Sequence, residues 1–213
     1  SIHLAGGIPI FSEISSQTFC LDFEDVKNRV TSNTAGIILV HMAGMISPDA
    51  QKFKSFCDEK GLFLIEDAAH SPGATLNGKQ AGNIGDVGCF SFYPTKVLTS
   101  AEGGMLTTNN DEIASFARSY QNRGRDMQSK DECYIMPGRN VRMSEMNALL
   151  GHIQLSHLDD FLYRRRQIAR LYSNELYKLK GVKLVIPDKF ESSSFWKFII
   201  LLDASIDRAG VTE

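Results

Sequence analysis

Leu62-Phe63-Leu64-Ile65-Glu66-Asp67-Ala68-Ala69-His70-Ser71-Pro72-Gly73 is an apolar run that breaks into two acids, two small residues and an imidazole. The first four residues suit a short strand buried on both faces, and the polar residues then fall beyond its carboxyl end. The same order recurs on either side. Upstream, Ala35-Gly36-Ile37-Ile38-Leu39-Val40 is a continuous apolar run followed by His41. Downstream, 86–92 reads as a strand followed by Tyr93-Pro94-Thr95-Lys96, and 104–108 as another, with a short approach from Glu102. Helical patterns lie between them. Phe23, Val26 and Val30 share one face of 22–30. The 47–61 segment has Ser47 as a cap, Pro48 at the first position and Gly61 as a stop. Asn110-Asp111-Glu112 opens a helix carrying Ile113, Phe116 and Ala117 and ending near Gly124. Alternating strands and helices predict an α/β fold, a mostly parallel sheet with helices on both faces. Ligands of such sheets bind beyond the carboxyl ends of the strands, so the three polar constellations predict one site.

The rest of the chain reads differently. The polar stretch 124–138 has no periodicity and is expected to be a long loop. Met143, Met146, Leu149, Leu150 and Ile153 follow helical spacing, and a second helix is expected over 159–180. Strands are expected at 182–186 and 195–202. The domain reading is therefore a large unit over 1–158 and the beginning of a smaller α+β unit over 159–213.

Bulk properties narrow the function classes. The 213 residues are 43% hydrophobic and 23% charged, the balance of an ordinary globular protein. A formal net charge of −2 argues against a general nucleic-acid or anionic-membrane binder. The run Arg164-Arg165-Arg166 is expected to be a solvated helix face. Cys20, Cys57, Cys89 and Cys133 are irregularly spaced and form no zinc pattern, and a reducing cytoplasm is the expected setting. No segment approaches the roughly 20 apolar residues of a membrane span. Residues 85–88 do not open a helix in the dinucleotide pattern, which weighs against a nicotinamide site.

The chemistry centres on Lys96, within Ser91-Phe92-Tyr93-Pro94-Thr95-Lys96-Val97-Leu98-Thr99-Ser100-Ala101-Glu102-Gly103-Gly104. Apolar residues and small hydroxyls surround it, so a partly desolvated ammonium with a lowered pKa, usable as an amine nucleophile, is expected. A lone lysine is more often a surface group, Asp67 alone could cap a helix, His70 alone could be a packing histidine, and Ser91 a buried hydroxyl. Together, an amine and a strand-end aspartate are what a pyridoxal phosphate enzyme needs.

The run from Glu66-Asp67-Ala68-Ala69-His70 through Ser91 and Lys96 to Glu102-Gly103-Gly104 resembles the DegT/DnrJ/EryC1/StrS family of sugar aminotransferases. These are pyridoxal-phosphate enzymes of the aspartate-aminotransferase fold, fold type I. The likeness continues through Val40-His41-Met42-Ala43-Gly44, 82–86, Gly138-Arg139-Asn140-Val141-Arg142-Met143-Ser144-Glu145, and Gln154-Leu155 with Arg164-Arg165-Arg166. The resemblance implies that Lys96 is the Schiff-base lysine, Asp67 the partner of the pyridine nitrogen and Ser91 a phosphate ligand. It implies that Asn140 reaches the phosphate of a neighbouring subunit, so that the active unit is a homodimer. His70 falls where most members carry glutamine, a position that hydrogen-bonds the cofactor's phenolic oxygen. His41 is expected to be structural, at a strand end near the site. Members also carry an earlier phosphate-gripping segment and a longer small domain. The chain is accordingly expected to be the central part of a longer enzyme, binding cofactor weakly by itself.

The activity so implied is transfer of an amino group from an amino acid, glutamate, to a keto-sugar linked to a nucleotide. Pyridoxamine phosphate would form during turnover. Two other readings stand beside it. A sugar dehydratase of the same family would carry histidine in place of the lysine, and Lys96 counts against it. A non-catalytic cofactor-binding regulator, or an inactive fragment, is the third.

Overall fold

A computed structural model describes residues 1–211, so that Thr212 and Glu213 of the expected small unit lie outside the described residues. The elements are α1 (Phe23–Arg29), β1 (Gly36–Val40), α2 (Ala50–Lys60), β2 (Phe63–Asp67), β3 (Thr75–Leu76), β4 (Lys79–Gln80), β5 (Val87–Ser91) and β6 (Gly104–Thr107). They continue with α3 (Asp111–Gln121), α4 (Glu145–Ser156), α5 (Leu158–Leu176), β7 (Val182–Val185), β8 (Ile199–Leu202) and α6 (Arg208–Val211). The main sheet has the order β1-β2-β5-β6. β1, β2 and β5 are parallel, with Val40 opposite Asp67 and Asp67 opposite Cys89. Three carboxyl ends are therefore side by side, which is where the sequence placed the site.

β6 departs from the parallel pattern. It runs antiparallel to β5, with Ser91 opposite Gly104. The connection 92–103 contains no helix, and without a crossover helix the chain returns alongside its own strand. That return brings the Lys96 loop back to the carboxyl end of β5.

Burial explains why α1 and α2 sit where they do. Asp22 caps α1 by accepting from the Asp25 backbone N–H, and Val26 faces inward. Phe53 and Cys57 of α2 pack with Val26, Ile37, Leu39 and Leu64 in one core, all at most 7% exposed. Phe23 sets its ring edge-on to Phe53 and Phe56, at 5.1 and 5.8 Å between centroids. Gly61 ends α2 in the left-handed region, φ 66°, as its place in the sequence suggested. The other end differs from the expectation. α2 starts at Ala50, and Ser47 is turned inward, its backbone N–H donating to His41 Nδ1 at 3.3 Å. Ser47 is fully enclosed and serves the site rather than the helix end.

Other differences are local. β2 runs two residues further than the apolar run, because Glu66 finds buried partners and so can stay in the strand. The β3–β4 hairpin turns on Asn77 and Gly78, both with positive φ, the two-residue turn signal that apolar patterning does not register. Residues 124–138 form no helix or regular strand, only an isolated bridge between Arg125 and Tyr134. Both expected late strands form, β7 and β8, and they pair antiparallel, but β8 begins at Ile199 rather than at 195.

The reason lies in 193–197, which dock on the loop after β1. Ser194 N–H donates to the Gly44 carbonyl at 2.9 Å and Lys197 N–H to the Ala43 carbonyl at 3.2 Å. Two arginines of α5 hold the segment from behind. Arg165 donates to the Phe195 carbonyl at 3.1 Å, and Arg166 to those of Ser193 at 2.9 Å and Gly73 at 3.4 Å. Burial pulls both guanidinium groups below the usual arginine range. The expectation of a solvated arginine face holds for Arg164 and is wrong for its two neighbours. Carbonyls of a folded loop supplied partners that helix periodicity could not reveal.

Candidate active site

β2 sends alternate side chains to opposite faces, which separates two adjacent acids. Glu66 points into the protein and is fully enclosed. Its Oε1 accepts from the backbone N–H groups of Ile84 and Gly85 at 2.7 and 2.6 Å, and its Oε2 from that of Gly82 at 2.9 Å. Oε2 also lies 2.8 Å from His41 Nε2. Because His41 Nδ1 accepts from Ser47, the ring proton sits on Nε2 and is donated to Glu66. Burial pushes the Glu66 carboxyl upward, but the His41 bond and the backbone donors of Gly85 and Gly82 outweigh it and hold it below the usual range. The ring of bonds ties β1, β2 and the 82–85 turn together just before Asp67.

Asp67 closes β2. Its backbone carbonyl accepts from His41 at 3.1 Å, and Oδ1 accepts the Ala69 N–H at 3.1 Å. No other side-chain hydrogen bond to Asp67 occurs among the described residues. Lys96 is carried by a tight loop. Its N–H donates to the Tyr93 carbonyl at 2.9 Å, and the Phe92 carbonyl accepts both Ser100 N–H and Thr99 Oγ1. Burial pulls the Lys96 ammonium below the ordinary lysine range, and the nearby Asp67 charge opposes this without cancelling it. Burial likewise lowers His70, helped by the charges of Lys96 and Lys197 and opposed by Asp67. His70 Nδ1 is buried and has no hydrogen-bond partner among the described residues. An unmet polar atom of this kind is uncommon away from functional sites.

Three of the five sequence candidates, Asp67, His70 and Lys96, are thus near enough to feel one another's charge. Ser91 ends β5, and among the described residues its hydroxyl makes only a long 3.5 Å contact from the Tyr93 N–H. Asn140 is exposed and bridges Asn122 through the backbone, with no side-chain hydrogen bond among the described residues.

Two participants escaped the sequence reading. One is the Glu66–His41 pair, where His41 was read only as structural and Glu66 as part of a motif. The other is Trp196. Its indole stacks on the His70 imidazole at 3.8 Å and 16°, and Lys96 Nζ lies 4.4 Å from its ring centre. Its Nε1–H donates to the Thr95 carbonyl at 2.8 Å. Read as a strand residue, it gave one signal only: it is the sole tryptophan of the chain.

The sequence matches the DegT/DnrJ/EryC1/StrS aminotransferase family over residues 1–213. It is 34% identical to the GDP-perosamine synthase of Vibrio cholerae over 209 residues, covering 97% of this chain and 56% of that protein. The fold superimposes on the aminotransferase TlmJ from Streptoalloteichus hindustanus with a TM-score of 0.90 and 28% identity, covering 98% of this chain and 57% of that one. A substituted form of GDP-4-keto-6-deoxymannose-3-dehydratase (ColD) with bound GDP-perosamine gives a TM-score of 0.86 at 25% identity, covering 95% and 56%. The chain therefore spans a little over half the length of the relatives it matches.

Proposed function

The chain belongs to the DegT/DnrJ/EryC1/StrS aminotransferase family, and we propose that it moves an amino group from glutamate to a keto-sugar carried on a nucleotide, using pyridoxal 5′-phosphate. The observation that carries this reading is the meeting of Asp67, His70 and Lys96 at the carboxyl edge of the parallel strands, with the Lys96 ammonium destabilised by burial. The kinship to a GDP-perosamine synthase supports the substrate class.

The residues present fit the cofactor. The buried, unpartnered His70 Nδ1 offers a hydrogen bond to its phenolic oxygen, and the Asp67 carboxylate is free to accept from its ring nitrogen. Ser91 would contact the phosphate, Lys96 would hold the carbonyl carbon covalently, and Asn140 would serve the phosphate of a second subunit. When bound, the group supplies an electron sink conjugated to the donor's α-carbon. The protein's own share is proton handling and orientation. Lys96 Nζ would act as general base and acid, taking the proton from the donor's α-carbon and returning it to the cofactor's carbonyl carbon across the intervening nitrogen. A lysine of ordinary pKa would be almost wholly protonated at neutral pH; burial gives Lys96 a larger neutral fraction for this task. The Glu66–His41 network keeps the strand ends that carry Asp67 in register.

A homodimer is part of the reading. α4 exposes Met146, Leu149, Leu150, Ile153 and Leu155, the first at 77%, and an apolar face of that kind suits a second copy. The unpaired cysteines suit a reducing cytoplasm.

The test is the donor half-reaction. With pyridoxal phosphate and glutamate, 2-oxoglutarate should form in proportion to protein, and Lys96→Ala should form none. Production of 2-oxoglutarate by Lys96→Ala at the wild-type rate would remove Lys96 from its assigned role. The structural likeness to ColD keeps a dehydratase as the second reading; its product would have lost a hydroxyl and gained no nitrogen.

A further inference from the structure

Trp196 lies well outside the loops that carry Asp67, His70 and Lys96, yet it touches His70 and Lys96 and bonds the loop that carries Lys96. Its delivery is elaborate. Ser194 Oγ donates to the His70 carbonyl at 2.7 Å, Ser193 Oγ to the Gly44 carbonyl at 3.0 Å, and Arg165 and Arg166 grip the backbone from α5. Between them Phe195 adopts φ 46°, a left-handed conformation unfavourable for a phenylalanine and maintained only where surroundings dictate it. Phe195 is buried beside Phe190 and Phe198, at 5.4 and 6.4 Å between centroids. The next residue, Trp196, is directed onto the site. A tryptophan serving only the core would lie among apolar groups. This ring faces an imidazole and two ammonium groups, Lys96 at 4.4 Å and Lys197 at 5.0 Å.

We propose that Trp196 is a positioning residue for Lys96 and His70. The ring plane fixes the His70 imidazole, so that its unpartnered nitrogen stays buried and aimed. The indole face gives the Lys96 ammonium a resting place when it is not covalently engaged. The bond to the Thr95 carbonyl ties the Lys96 loop to the arm. Misplacement of a reacting group by about 1 Å can cost two orders of magnitude in rate, so an anchor of this type matters to chemistry it does not perform. The proposal rests on the reading of Lys96 as the amine that takes the cofactor.

Two measurements test it. The first needs no cofactor. Trp196 is the sole tryptophan of the sequence, and an imidazolium stacked on an indole quenches its emission where a neutral imidazole does so far less. The groups facing His70 are Lys96 and Lys197, which oppose its protonation, and Asp67, which favours it. Emission should therefore fall on acidification with a midpoint below the ordinary histidine value of about 6.5, and the step should vanish in His70→Gln. A wild-type protein without the step, or a step that survives in His70→Gln, overturns the stack. The second is the rate at which Lys96 captures pyridoxal phosphate, fixed by borohydride and located by peptide mass spectrometry. Trp196→Leu should be about tenfold slower, with Trp196→Phe in between because it keeps a ring and loses the N–H. Circular dichroism checks that both variants are folded. Capture by folded Trp196→Leu at the wild-type rate overturns the positioning role. Lys96→Ala separates the two readings: capture that persists there faults the choice of amine, and the emission step then decides the fate of the stack alone.

Discussion

His41 Nε2 and Glu66 Oε2 meet 2.8 Å apart, both side chains fully enclosed, one residue before Asp67 in the strand. Every polar atom of the Glu66 carboxylate is used by this contact and by three backbone donors. A carboxamide could accept on one side only and would point N–H bonds at N–H bonds on the other. Glu66→Gln should therefore lose about 3 kcal/mol of unfolding free energy, the scale for leaving buried donors without their charged acceptor. Urea titration measures it, and a loss below about 1 kcal/mol would show that the network is not holding the strand ends.

The same group sets a pH dependence. Its folded-state pKa is depressed, so its stabilisation is complete above the unfolded glutamate value of about 4.3 and is lost as pH falls through the lower folded value. Stability of the wild-type protein should fall in that acid window, and Glu66→Gln should show a shallower fall. Parallel acid branches in the two proteins would contradict the assignment.

Gly44 sits where the Trp196 arm docks. It has φ 102°, and a Cβ there would lie 2.4 Å from Ser194 Oγ and 2.9 Å from the backbone nitrogens of Phe195 and Trp196. Gly44→Ala should cost about 2 kcal/mol or more and displace the arm. Thermal melting reports the first effect and tryptophan emission the second. An unchanged melting temperature would mean that the loop is far softer than its contacts suggest.

Arg166 holds the arm from the opposite side through the Ser193 and Gly73 carbonyls. Arg166→Ala leaves these carbonyls without their charged donor, and about 2 kcal/mol should be lost. Arg164→Ala, at an exposed neighbour, should change stability by less than about 0.5 kcal/mol. Equal losses in the two variants would return the arginine run to the solvated face expected from sequence.

Burial holds the Lys96 ammonium below the ordinary lysine range, and the role proposed for it requires the neutral amine. Between that value and the ordinary lysine value of about 10.4, it holds a larger free-amine fraction than exposed lysines. Brief labelling with an amine reagent near pH 8 should mark Lys96 ahead of exposed Lys183 and Lys189. Labelling in the reverse order would contradict the desolvation seen around it.

What the sequence could show follows from where its patterns come from. Apolar runs at 35–40 and 62–65 marked two of the parallel strands because burial on both faces demands such runs; the polar residues after the second included Asp67, and those after the 86–92 strand included Lys96. The antiparallel return of β6 was hidden because an apolar run carries no direction. Glu66 was hidden because a buried acid breaks the very pattern used to find buried strands; its partners are backbone N–H groups of 82–85, invisible as residue types. Arg165, Arg166 and Trp196 act on carbonyls and rings brought close only by the docking of 193–197. Helical or strand periodicity describes an element's own faces and not what another loop offers them. Asn140 was assigned by resemblance alone, and a single chain leaves it without a side-chain partner among the described residues.

Lys96 is proposed to enable nitrogen transfer from glutamate to a nucleotide-linked keto-sugar. The direct measurement supplies glutamate with isotopically labelled nitrogen, pyridoxal phosphate and such a keto-sugar, and follows the label by mass spectrometry. Labelled nitrogen should appear on the sugar, in step with 2-oxoglutarate, and none with Lys96→Ala. A sugar product without nitrogen, or label transferred equally well by Lys96→Ala, would contradict it.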